Sequence, residues 1–173
     1  MREFTDKELY LGLEYAKSLD QNAGHTILTR FQNEQPVLAQ TLFGVFPSLI
    51  AEQDQNVAHL FMDLVFDVIC VFEKTSGTLP SQQTLGMAWL QEKAALVDAE
   101  MTAMMSGKPH SESVFETDEQ KGLVQFLHDC IDEYLAEHPA PGDAVRMIKT
   151  LIFVTVQLFC SLHDAAGASK TLH

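Results

Sequence analysis

The run at positions 57–72, VAHLFMDLVFDVICVF, is apolar on nearly every side. Its three polar residues, His59, Asp63 and Asp67, fall at i, i+4 and i+8. On an α-helix they form one narrow stripe, each about one turn above the last. A helix this apolar must be covered on most of its surface, which places it centrally in a bundle. The stripe then either meets water or aims an imidazole and two carboxylates into the interior.

Helical periodicity continues along the chain, and no stretch shows sustained strand-like alternation between hairpin turns. Thr5-x-x-Glu8 reads as a capping box opening a helix to about position 20, which Asn22-Ala23-Gly24 should end. Positions 26–46 read as helical, with Pro36 kinking or restarting the helix. The central helix is expected over 48–74 and a fourth from Pro80-Ser81 to Gly107. Thr117-x-x-Gln120 reads as a second capping box for a helix ending at Glu137, before Pro139-Ala140-Pro141-Gly142. Asp143 should cap the last helix, 144–166, and the tail 167–173 should fray. Short connections favour antiparallel neighbours. The expectation is an all-α, single-domain bundle over 1–173, of five to seven mostly antiparallel helices. The 48–74 and 144–166 helices, much more apolar than the rest, should be central, and their surplus apolar surface suggests a homodimer interface.

The chain has 173 residues, 46% hydrophobic and 20% charged, enough for one substantial core. Its formal charge is −13, concentrated at 111–143, where nine acids face one base, Lys121. Phosphate neutralisation needs clustered Lys and Arg, so the balance argues against nucleic acid and suits a basic protein partner. Cys70, Cys130 and Cys160 are dispersed, with no CxxC pair, which points to a reducing compartment. The charged N-terminus lacks a signal-peptide core. The charge-free run at 35–51 contains prolines, and that at 150–162 is only thirteen residues. Both fall short of the roughly 20 apolar residues of a membrane span. A cytoplasmic protein without membrane association is expected.

The stripe His59, Asp63, Asp67 resembles one half of a carboxylate-bridged metal site, in which facing helices supply oxygen and imidazole ligands. The answering residues would be His128 and Asp132, again at i, i+4. Such a set suits a divalent ion such as Fe, Mn or Zn. The Glu-x-x-His signature of di-iron bundles and HExxH are both absent, so the preferred expectation is a solvated stripe with no cofactor. A second polar file, Thr150, Gln157, Ser161 and Asp164, lies along the last helix and reads as a narrow exposed strip. If buried instead, it would have to form a network with Asp63 or Asp67.

Nucleophilic catalysis finds no motif: His128 and Cys130 are two residues apart and point to different sides of a helix. Met101, Met104 and Met105, with Met87 and Trp89, are core by default and an adaptable binding surface otherwise. Val114-Phe115, in the loop around His110, reads as a docking segment or as a local staple before Thr117. These readings converge on a non-enzymatic bundle that acts through protein–protein interaction and self-associates. The alternative is a metal- or small-molecule-binding bundle using an inward His/Asp cluster.

Overall fold

A computed structural model describes residues 1–107 and 119–170, with side chains through Gly167. Among the described residues every regular element is a helix. They are α1 (Asp6–Ser18), α2 (Gln21–Glu34), α3 (Pro36–Ala51), α4 (Gln55–Ser76), α5 (Gln82–Met105), α6 (Lys121–Glu137) and α7 (Gly142–Lys170). The all-α bundle expected from periodicity is the observed fold. The second capping box at Thr117 and the segment around Val114-Phe115 lie outside the described residues.

Local chemistry sets most boundaries. Thr5 accepts from the Glu8 backbone N–H while the Glu8 carboxylate accepts from the Thr5 N–H, the reciprocal box read from sequence. Pro36 occupies the first turn of α3, where its missing N–H costs nothing. Ser81 caps α5, and Gly77 and Gly107, both at positive φ, follow the ends of α4 and α5.

Three boundaries differ from expectation. Asn22-Ala23-Gly24 does not stop a helix; Asp20 accepts from the Ala23 N–H and starts α2 there. The central helix begins at Gln55, because the Asp54 carboxylate takes the Asn56 and Val57 N–H groups and breaks the run. The last helix is described from Gly142 to Lys170, against the expected 144–166. Within α3, Thr41–Val45 widens into a π-helical turn.

The core is one contiguous cluster in which α4 and α7 contribute the most fully buried side chains. Every residue of α7 from Thr150 to Cys160 is buried. α4 is covered by α1 on one side and by α7 and the end of α3 on others. The α1–α4 approach is close because Gly12 has no side chain: a Cβ there would lie 2.9 Å from the Val71 Cα. Phe72 and Phe159 meet at 5.2 Å between ring centroids, joining α4 to α7. Each such fully buried aromatic or branched side chain contributes roughly 1.5–3 kcal/mol of transfer free energy.

α4 and α7 are long and apolar enough to cross a membrane by length and composition, yet 56% and 78% of their most apolar windows are buried within this chain. The surplus apolar surface expected on these two helices is therefore largely covered by the chain's own elements. α5 differs: among its residues only Glu100 and Met104 are buried, and Gly86 (φ 80°) kinks its first turns.

Candidate functional site

The stripe on α4 stands beside a cleft. His59 is exposed, its Nε2 3.2 Å from Gln55 Nε2. Asp63 is exposed and Asp67 half-buried, and both line an opening of about 640 Å³ between α4 and α2. Its opposite wall comes from Asp20, Gly24, His25 and Leu28, with Phe43 of α3 at one end. Met62 and Phe66 flank the carboxylates on α4. Burial pushes the Asp67 carboxyl up to about 6, the neighbouring Asp63 charge adds to the rise, and Lys17 of α1 opposes it. Among the described residues neither carboxylate forms an ion pair or a hydrogen bond.

The residues expected to answer the stripe do not. His128 Nε2 lies 3.1 Å from the Lys149 carbonyl oxygen, and the Lys149 ammonium sits 2.7 Å from Asp132. Both α6 residues are thus engaged by α7. No group of three or more His, Cys, Asp or Glu among the described residues is placed to hold a metal ion, so His59, Asp63, Asp67, His128 and Asp132 are not assembled into one site. The physical reason is rotational: the i, i+4 spacing puts His128 and Asp132 on one face of α6, and that face packs against α7.

The polar file on α7 also departs from expectation. Thr150 and Gln157 are buried, and only Asp164 at the far end is exposed. Gln157 Nε2 donates to the Glu119 carbonyl at 2.9 Å, and its Oε1 accepts from the Glu119 N–H at 3.2 Å. The buried amide is satisfied by backbone, not by Asp63 or Asp67.

A second concavity, of about 350 Å³, lies between α3 and α5. Phe46 and Leu158 form its floor, Trp89, Val97 and Met101 its α5 wall, and Val37, Thr41 and Val45 its α3 wall. The π-helical turn supplies Thr41 and Val45. Lys93 and Asp98 are the charged groups on its edge. Of the six exposed large hydrophobic side chains among the described residues, four belong to these two helices: Val37, Val45, Met87 and Met105. Met104, by contrast, is core.

The thiols offer no nucleophile poised for reaction. Burial pushes Cys70 up to about 12 and raises Cys160 and Cys130 as well, so none is held as thiolate near neutral pH. All three are free.

No protein-family model, curated protein or solved structure matches this chain. Sequence reasoning missed His25, Leu28 and Phe43 as neighbours of the α4 stripe. A helix N-cap at Asp20 was the available signal, because it starts α2 early enough to carry Gly24, His25 and Leu28 past α4.

Proposed function

We propose that this protein is a non-catalytic binding bundle whose working surface is the groove between α3 and α5, which takes the apolar face of a partner helix. The observation that carries this reading is that exposed Val37 and Val45 line a groove walled by Trp89 and Met101. Aromatic and methionine side chains are enriched where proteins meet, and methionine repacks readily around different partners. A recess of this kind is filled by one face of an amphipathic helix through i, i+3, i+4 and i+7 anchors. The chain's charge of −13 favours a partner with basic edges. Three free thiols accord with work in a reducing compartment such as the cytoplasm.

Self-association belongs to the same reading, relocated. Its first motive, uncovered surface on α4 and α7, is weakened by their burial. The α3–α5 face instead presents a recess and projecting valines together, as a two-fold contact between copies requires.

Sedimentation velocity across the micromolar range tests the homodimer. A concentration-dependent dimer lost in Val45→Glu at unchanged melting temperature is expected, and a strict monomer removes self-association. Fluorescence anisotropy with a labelled Leu/Lys amphipathic peptide tests the partner arm. Saturable binding lost in Val45→Glu is expected. Equal binding of the Leu/Glu counterpart, or no binding of either, rejects it.

A further inference from the structure

The cleft between α2 and α4 is separate from the α3–α5 groove and differs from it in chemistry. Its volume of about 640 Å³ falls within the range of roughly 300–1,000 Å³ that small-ligand sites occupy. Leu28, Phe43, Met62 and Phe66 supply its apolar walls, with Asp63 and Asp67 on the α4 side and Asp20 and His25 on the α2 side. Gly24 keeps the space open, since a Cβ there would already touch the Phe66 ring at 3.6 Å. Among the described residues the charge in this cleft has no counter-ion within bonding reach. Lys17 acts on Asp67 only through space, and Asp20 is occupied with capping α2. Asp63 is exposed and Asp67 half-buried, so the unpaired charge rests chiefly on Asp67, and a cationic ligand seated in the cleft would compensate it.

We propose that this cleft is a binding site for a small organic cation, a protonated amine on a short aromatic or aliphatic arm. The ammonium would bridge Asp63 and Asp67 with two of its three N–H donors. The arm would lie along Leu28 and Met62, and the Phe66 ring would face the positive charge. An organic cation fits better than a metal ion, because no third ligating side chain joins the two carboxylates in a metal-holding group among the described residues.

The probe is phenethylammonium chloride, titrated into the isotopically labelled full chain and followed by amide chemical shifts. Saturable shifts confined to residues 20–28, 43 and 62–67 are expected. 3-Phenylpropionate, of similar shape and opposite charge, should leave these residues unmoved. Asp67→Asn and Asp63→Asn should each weaken binding at least tenfold, and Asp63 is exposed, so its variant reports even if the other folds poorly. Gly24→Leu keeps both carboxylates, fills the cleft and should abolish binding. The proposal is overturned by no saturation, by equal binding of the propionate, or by undiminished binding to Asp63→Asn and Gly24→Leu. Stoichiometric Mn²⁺ binding that displaces the amine from these residues also overturns it, making the site one for an inorganic ion.

Discussion

Two files of polar residues run along the two most apolar helices, and they meet opposite fates. On α7, Thr150 and Gln157 are buried, and the Gln157 amide is bonded at both ends to the backbone of Glu119. On α4, His59 and Asp63 reach solvent and Asp67 lines the edge of a cleft. The spacing alone does not separate the two files. The chemistry of the side chains does. A neutral amide can be held in the core by backbone groups alone, here accepting from the Glu119 N–H and donating to the Glu119 carbonyl. A carboxylate without a cation keeps its solvation only at an edge.

The largest test of this contrast is Gln157→Leu. The substitution strips the half-buried Glu119 N–H and carbonyl of their partner while conserving bulk. Leaving such groups unpaired should cost about 2–3 kcal/mol. For a chain of this size the melting temperature should fall by roughly 5–10 °C, read by thermal circular dichroism. A loss under about 0.5 kcal/mol, typical of surface changes, would mean that the α7 file is no more integral to the fold than the α4 file.

Asp67→Asn should act in the opposite direction. The folded state raises the Asp67 carboxyl from its ordinary value to about 6, so the native protein holds that proton more tightly than the unfolded chain. The associated stability is fully present below about pH 4 and is lost as pH rises through about 6. Above that, wild type carries an unpaired charge that the amide lacks. At pH 7.5 Asp67→Asn should gain about 1–2 kcal/mol, less than the full linkage value because the group is partly solvated. Asp63, Lys17 and Cys130 share the field around Asp67, while Asp20 and His25 line the same cleft. His163, stacked on Phe72 and pushed down by burial, opposes it by losing stability as pH falls. The difference between wild-type and Asp67→Asn denaturation curves from pH 4 to 7.5 isolates Asp67, since His163 is common to both. Parallel curves would show that burial does not perturb the carboxyl.

How far these features are legible in the sequence depends on the range of the interaction that sets them. The Thr5–Glu8 box, Pro36 at a first turn and Ser81 as a cap are decided within four residues, and each is readable from the chain. Gly24 is different. It reads as a terminator, yet sits inside α2, because the Asp20 cap starts the helix before it. The position of Asp67, deepest in an apolar run, marks it as the acid most worth watching. The other wall of its cleft comes from α2 and α3, whose placement against α4 no local pattern encodes. Likewise, the spacing of His128 and Asp132 is visible, but Lys149, which occupies both, arrives from another helix.

Gly24→Ala should bring a small gain in stability. The residue lies inside a helix, where glycine costs roughly 0.5–1 kcal/mol relative to alanine. The added Cβ would meet Phe66 Cζ at 3.6 Å, an ordinary van der Waals contact, so the full propensity gain is available. Chemical denaturation should show about 0.5–1 kcal/mol of added stability at unchanged slope.

His59→Ala is the smallest expected effect and the sharpest check on the stripe as a unit. His59 shares the face of Asp63 and Asp67, but it is exposed, and its one described contact is Gln55 at 3.2 Å on the same helix. If the three residues worked together, removing the imidazole would shift the Asp67 titration along with stability. Geometry instead separates it: His59 does not line the cleft that holds the two carboxylates. Stability should change by less than about 0.5 kcal/mol, as for an ordinary surface position. The Asp67 side-chain carboxyl ¹³C titration should stay in place. A displaced titration would join His59 to the site and extend the functional part of α4 by about one turn.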